Sequence, residues 1–418
     1  MQKDLRRLLR DPDLIPSKKQ ELLTKIATQA AAKDMPPYLV GGGVRDLLLD
    51  KQVNDLDVVV EGDAIGLGSE LVKKYGGKLT IHQKFRTCVW HLPVTWHLVP
   101  GSLDITTARS EKYEAPGTLP VVKPSVIEDD LRRRDFTINA IALRLDADHF
   151  GELLDPLLGQ ADLSKGLVRA LHSRSFIDDP TRILRAIRYE QRYGFEIERD
   201  TLKLINHESL AVLSQLSGER IRHEFELIFE EDNSARMLGR AEELGIFTAL
   251  TPELPGLNKR HAELLNASPP DDLGISFDRV RLGFLIWLAG CSEEALGQIS
   301  RRLDFASEMT RLSLAMVRLS EELASLKGSK ASRWTLRLDK APELTVFALW
   351  IISGVPELKE YLKKWRHVKT STTGETLKDR GLPPGPRYAG ILARLRDAWL
   401  DGEVTTLAGE LSLLDKLI

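Results

Sequence analysis

Cysteine is scarce: Cys88 and Cys291 are the two thiols in 418 residues. No metal-ligand spacing surrounds them. A disulfide scaffold and a cysteine-based zinc fold are therefore excluded, and a reducing compartment fits. Long apolar runs are also missing. Residues 283–291 and 344–352 fall well short of the ~20 residues that span a bilayer, and they read as buried helices. The N-terminal Met1-Gln2-Lys3-Asp4-Leu5-Arg6-Arg7 is charged and carries no apolar signal core, so a cytoplasmic protein with no membrane partner is expected. Neither charge sign dominates: 59 basic residues face 61 acidic ones, for a net charge of −2. A nucleic-acid-binding surface, if there is one, has to be local. No fixed-period repeat or low-complexity stretch is present. The chain has no Gly-Lys-Ser/Thr, which excludes a P-loop. It is too long for a single core, so two to four domains are expected.

Residues 38–60 are the most informative stretch. Tyr38-Leu39-Val40 reads as a short apolar strand, Gly41-Gly42-Gly43 as a turn, and Val44-Arg45-Asp46-Leu47-Leu48 as the start of a helix. Glycines let a backbone approach a ligand closely, and a helix start presents free N–H groups, so this is a candidate phosphate cradle. A ligand-free tight turn is the alternative. A dinucleotide fingerprint fits poorly, because Asp46 stands where its third glycine belongs. Arg45 suits a phosphate, or equally a salt bridge to Asp46 or Asp55. Asn54-Asp55-Leu56-Asp57-Val58-Val59-Val60 reads as a strand with Asp55 and Asp57 on one face. Alternating acids often mark an exposed face, and Asn54-Asp55 also suits a turn. Beside a phosphate cradle, the cation that would relieve their repulsion is Mg²⁺.

Farther along, the pattern predicts a helix over 17–33 capped by Ser17. It predicts another over 64–75, ended by Gly76-Gly77. Strands are expected at 78–81, 88–92, 95–99 and 103–107. In the last of these, Asp104 falls on the polar side and is a third candidate carboxylate; three such acids can hold two Mg²⁺ ions. Residues 106–130, with Pro116-Gly117, Pro120 and Pro124, read as a long loop around Tyr113, with Ser125 capping a short acidic turn after it. From about 151 onward amphipathic helices follow one another, including 180–193, 201–205, 218–231, 235–244, 305–323 and 388–400. An α/β head on a long helical body follows.

Three blocks, Gly42-Gly43-Val44-Arg45-Asp46 with Asp55-Leu56-Asp57, Arg133-Arg134-Asp135-Phe136-Thr137-Ile138-Asn139-Ala140, and Asp178-Asp179-Pro180-Thr181-Arg182, occur in this order. The chain thereby resembles the class II tRNA nucleotidyltransferases, which comprise CCA-adding, CC-adding and A-adding enzymes, and bacterial poly(A) polymerases. That family belongs to the polymerase-β-like nucleotidyltransferase superfamily. The matching blocks span roughly residues 38–193.

The resemblance implies an α+β multidomain fold. A catalytic head with a small mixed sheet (1–147) would be followed by an all-α neck (148–235), body (236–330) and tail (331–418). It implies Mg²⁺ on Asp55, Asp57 and Asp104, and a triphosphate held by Gly42, Gly43 and Arg45. Arg134 and Asp135 would lie by the ribose, with Asn139 in the same block. Asp179 and Arg182, with Arg185 beside them, would read the base. A carboxylate accepting from the exocyclic amine of C or A, with an arginine donating to the adjacent ring atom, would repel U and G.

Each block also has a plain structural reading. Arg132-Arg133-Arg134 suits a solvated patch, Asp135 a helix cap, and Asp179-Pro180 a capped helix start. Asp178 stands where family members usually carry Glu. The presence of the 106–130 segment argues against a CC-only enzyme. The absence of a long basic C-terminal extension argues against poly(A) polymerase, and the absence of an adjacent His-Asp pair against a fused metal phosphohydrolase.

The expected activity is addition of CMP and AMP from CTP and ATP to the tRNA 3′ end. An A-adding-only or CC-adding-only enzyme, and a catalytically inactive RNA-binding protein, are the alternatives. For RNA contact the best candidates are Lys363, Lys364, Arg366 and Lys369, interleaved with Tyr361 and Trp365. A solvated helix face is the plain alternative there. Oligomeric state is not legible.

Overall fold

The computed structural model describes residues 4–97, 101–270 and 273–418. The chain divides into two compact units, Met1–Leu216 and Ser217–Ile418. The division falls inside the segment 148–235 expected to form the neck. In the first unit a seven-stranded sheet is built from β1 (Pro37–Val40), β2 (Asp57–Val60), β3 (Lys78–His82), β4 (Thr87–His91), β5 (Ser102–Thr107), β8 (Ala142–Arg144) and β9 (Leu153–Leu154). Its order is β3-β4-β5-β2-β1-β8-β9, with β2 and β5 parallel and the other pairs antiparallel. Outside this sheet, β6 (Arg109–Lys112) and β7 (Val121–Pro124) pair as a separate hairpin, and Leu167–Val168 pairs in parallel with Glu196–Ile197.

Five helices position the site: α1 (Ser17–Ala31), α2 (Gly42–Leu48), α3 (Ala64–Tyr75), α4 (Ile127–Arg132) and α5 (Thr181–Tyr193). On one sheet face Tyr38, Val40, Val59 and Ala142 pack on Ile127 and Leu131 of α4. Removing those apolar surfaces from water holds the helix to the sheet. Asp57 shares that face with Val59 two residues on, at the first residue of β2.

Several expected elements differ. The helix starting at Ser17 has Pro16 at its cap position and no side-chain cap; proline's fixed φ and missing N–H suit the residue that opens a helix. The expected strand 95–99 is a 3₁₀ turn at Val94–Trp96, whose Trp96 packs edge-on against Trp90; residues 98 and 99 lie outside the described residues. Asp55 precedes the strand rather than lying on it. The expected loop 106–130 contains the β6–β7 hairpin and most of α4. Ser125 bonds the Asp129 carboxylate, while Val126 takes the cap position of α4. The helix 64–75 ends as expected, with Gly76 at φ 81°.

The second unit is helical throughout its described residues. Trp287 is fully buried against Phe225 (4.9 Å between ring centroids) and Phe247 (5.0 Å), and its indole N–H donates to Pro255 O. Residues 283–291 and 344–352 lie largely within the helices Arg279–Trp287 and Glu343–Ser353, both rich in buried side chains. Toward the C-terminus Leu377, Ile391, Leu395 and Leu414 form a second core cluster. Among the described residues no helix is long and apolar enough to cross a membrane.

Candidate active site

A cleft of about 520 Å³ opens in the first unit, lined by residues drawn from 41–57, 85–139 and 179–192. Its floor is the glycine turn. Gly41 has φ +64°, a conformation that favours glycine, and a Cβ there would stand 2.7 Å from Arg134 Nη1, so the guanidinium would have to move. A Cβ on Gly43 would meet Asp55 O and Leu39 Cδ1 at 3.3 Å. Its bareness lets α2 lie against the segment that carries the acids.

Arg45 is buried in this wall. Its Nη1 donates to Asn139 Oδ1 (2.6 Å) and its Nε to Asp46 Oδ1 (3.0 Å). The guanidinium lies 5.2 Å and 4.7 Å from the ring centroids of Tyr189 and Tyr193, a cation–π arrangement. Burial would lower its pKa, but the Tyr193 and Asp46 oxygens outweigh that and raise it. Arg45 thus makes the salt bridge to Asp46 that the sequence allowed, while still lining the cleft.

Asp55 and Asp57 both line the cleft; Asp104 lies one strand farther out and does not. The parallel register sets Asp57 directly beside Asp104. Asp57 is open at the cleft mouth yet enclosed on its other sides. Desolvation therefore raises its carboxyl above the ordinary range. Arg134 opposes the shift, and the Asp104 and Asp55 charges add to it. Burial likewise raises Asp104, opposed by His82 and reinforced by Asp55. Such crowded carboxylates are relieved by a cation. Among the described residues no group of three acids, histidines or cysteines is placed to hold a metal ion by itself.

The Arg133-Arg134-Asp135 block is woven into the wall. Fully buried Asp130 accepts from Arg133 (2.8 Å) and Arg134 (3.0 Å). The two guanidinium groups outweigh burial and hold its carboxyl low. Arg134 Nε is buried with no partner among the described residues, an orphaned donor beside the glycine floor. Asp135 is buried too. Its Oδ1 accepts from the Phe136 N–H (2.8 Å) and Asn139 Nδ2 (3.0 Å), and its Oδ2 from Arg185 Nη2 (2.6 Å) and Nε (2.9 Å). Burial pushes the carboxyl up, but Arg185 and Asn139 bring it down to about 2. Both oxygens of Asp135 are therefore engaged within the protein.

Helix α5 brings the third block to the same cleft. Asp179 Oδ1 accepts from Thr181 N–H (3.1 Å) and Oγ1 (2.7 Å), so it tethers the helix start much as a cap would. Arg182 is buried, donating to Ser175 Oγ (2.9 Å) and Arg133 O (2.9 Å), and its Nη2 stands 3.5 Å from Tyr113 OH. Tyr113 donates to Glu111 Oε2 (3.2 Å), while Glu111 Oε1 accepts from Arg133 (2.9 Å) and Arg109 (3.1 Å).

Sequence reasoning missed Glu111, Asp130 and Tyr189, all of which shape this site. It places Tyr113 in a loop and gives it no role. The acid-rich turn before Arg133 is the one signal that could have pointed to Asp130.

The basic candidates in the second unit separate. Lys363, Lys364 and Lys369 are exposed, with Lys364 paired to Glu360. Arg366 is mostly covered, ion-paired to Glu343 and bonded to Leu273 O, and is committed to structure.

Residues 37–169 match the Poly A polymerase head domain, and residues 194–257 match the probable RNA and SrmB-binding site of polymerase A. The chain is 34% identical over 407 residues to an A-adding tRNA nucleotidyltransferase of Geobacter sulfurreducens, covering 92% of this chain and 45% of that protein. A solved CCA-adding enzyme in apo form superposes with a TM-score of 0.81 at 31% identity, with both chains covered completely. The Thermotoga maritima CCA-adding enzyme complexed with tRNA gives 0.76 at 28%, covering 100% of this chain and 99% of that one. Cleft, acid register and these matches agree: the chain belongs to the family of tRNA nucleotidyltransferases and poly(A) polymerases. It spans about half the length of the first curated relatives it matches, between 42% and 53%.

Proposed function

We propose that the protein is a template-independent nucleotidyltransferase that adds CMP and AMP from CTP and ATP to the 3′ end of tRNA. The observation that carries this reading is the convergence on one cleft of the acids Asp55 and Asp57, the glycine floor, and the Asp179/Arg182 pair from more than a hundred residues downstream. Relatives solved with tRNA, ATP and CTP support the choice of substrates.

In the proposed reaction the RNA terminal 3′-oxygen forms a bond to the α-phosphorus as the α–β anhydride bond breaks. Pyrophosphate leaves, and the hydroxyl proton is released. Arg45 and Arg134 bind the triphosphate, and the unpartnered Arg134 Nε suits an anion. Asp135, saturated by its protein partners, acts on the ribose through the placement of Asn139 and Arg185. Asp179 and Arg182 select the base edge.

The crowded carboxylates suit a divalent cation, for which magnesium is the choice because the ligands are hard oxygens; Asp55 and Asp57, with Asp104 in register beside Asp57, would hold it together with substrate oxygens. Such an ion supplies acidification of the attacking hydroxyl and charge neutralisation at the leaving group. The exposed Lys363, Lys364 and Lys369 are the candidate phosphate-tracking residues in the second unit.

A second reading, addition of A alone, is favoured by the name of the Geobacter relative. Both are tested by offering purified protein tRNAs that end at the discriminator base, at one C, or at two Cs, each with single labelled nucleotides. CTP use on the first with ATP use on the last supports CCA addition; ATP use confined to the last supports A-addition. Lack of any incorporation, or its persistence after Asp55→Ala with Asp57→Ala, overturns the proposal.

A further inference from the structure

Asp55 sits outside regular structure, in a stretch between α2 and β2 with no strand neighbour. A metal-ligating carboxylate has to be held within about 0.5 Å of its working position, so something else must hold this one. Part of the answer is local. The Val53 N–H donates to Leu14 O (2.8 Å), and bare Gly43 admits the Asp55 carbonyl.

The rest comes from α1. Lys19 is 7% exposed, and its ammonium donates to Val53 O (3.0 Å) and Asn54 O (2.6 Å), the two carbonyls immediately before Asp55. Burying an ammonium is costly unless donors and charge are both answered. Two of its three N–H groups are spent on these carbonyls, and the Asp55 charge opposes the desolvation of the group. An apolar side chain of equal length would fill the same space without that cost. It could not donate to two consecutive carbonyls, nor place positive charge beside the first acid of the pair.

We propose that Lys19 is a positioning residue that fixes the backbone ahead of Asp55, and so orients the first carboxylate of the divalent-cation site. This rests on Asp55 being a metal ligand. Loss of the ammonium frees the carbonyls of Val53 and Asn54 and lets the carboxylate wander. The hydrogen bonds that Lys19 makes go to Val53 and Asn54, and those of Arg45 go to Asn139 and Asp46. Cation affinity should therefore fall while nucleotide affinity stays.

The test titrates Mn²⁺ into the full-length chain, following the free-ion paramagnetic resonance signal, and separately measures ATP binding without divalent cation. Lys19→Met is expected to weaken Mn²⁺ binding by about tenfold, in the range of other supporting-shell losses, and to leave ATP affinity within about twofold. Asp55→Ala serves as the reference and should weaken Mn²⁺ binding at least as much. If Lys19→Met does not fold, Lys19→Gln, which keeps a shorter neutral donor, should give an intermediate loss.

A folded Lys19 variant with the wild-type Mn²⁺ curve, beside a weakened Asp55→Ala, overturns the proposal alone. Equal losses of Mn²⁺ and ATP binding with a lowered melting temperature also overturn it, since they describe a purely structural lysine. An unchanged curve in Asp55→Ala removes the metal assignment of Asp55, and the proposal with it.

Discussion

Replacing Arg185 with Met should turn the most strongly stabilised carboxylate of the cleft into an uncompensated buried charge. Asp135 is 7% exposed and Arg185 33% on a side-chain basis, with the closest contact at 2.6 Å. The Asp135 carboxyl is held at about 2 against an ordinary 3.8, a gap that corresponds to about 2 kcal/mol favouring the folded state. Because the folded value is depressed, this contribution is fully present above the unfolded pKa. It is lost as pH falls from about 4 toward about 2.

Without Arg185, burial dominates and the carboxyl titrates above its unfolded value, which reverses the sign. The variant is then least penalised below the unfolded pKa and loses stability as pH rises through the new folded one. At pH 7 the cost should be about 2–3 kcal/mol, below the upper range for broken buried pairs because Arg185 is partly solvated. Two compact units make a single global unfolding curve unsafe. The readout is therefore hydrogen exchange of the peptide following Asp135, where the Phe136 amide is bonded to that carboxylate. The double variant Arg185→Met with Asp135→Asn should recover much of the loss. An opening free energy unchanged at pH 7, or a loss that is the same at pH 4 as at pH 7, would refute the reasoning.

Three further outcomes are expected. Asp179→Ala or Arg182→Ala should cost about 1–3 kcal/mol of base discrimination, the worth of one bidentate base contact, with a much smaller effect on triphosphate binding; competition assays among the four nucleotides read this directly. Gly68→Ala should destabilise by about 1–2 kcal/mol, because its Cβ would stand 2.7 Å from Cys88 Sγ and 3.0 Å from Leu79 Cδ1. In a Cys88→Ala background the same change should cost less, as hydrogen exchange of the α3 amides in both pairs would reveal. Replacing Lys363, Lys364 and Lys369 together by Gln should shallow the salt dependence of RNA binding by about 0.7–0.9 for each RNA phosphate that is no longer neutralised; an unchanged slope removes them from the interface.

The order of the chemistry was legible in the chain itself. The glycine turn, the polar-side Asp104 and the helix start after Asp179 could be read because turn geometry, strand alternation and helix starts are local properties. The helix 64–75 and its glycine stop could be read for the same reason. The helices expected at 218–231, 235–244, 305–323 and 388–400 lie within a few residues of those ranges, since a 3.6-residue period shows in any one stretch.

Local signals failed where a partner far away in sequence decides. The Asn54-Asp55 dipeptide allows a turn before the strand, but nothing around it shows that a lysine of α1 bonds the two carbonyls ahead of Asp55. Tyr113 carries no sign in sequence that it lies within reach of Arg182, nor Glu111 that it bonds Arg133. Arg366 looks like its exposed neighbours until Glu343 and Leu273 cover it. The sequence by itself determined which groups could do the chemistry and which elements would carry them. Only the tertiary structure decided which charges are desolvated and by whom they are neutralised, because burial and pairing depend on distances between segments that no local pattern encodes.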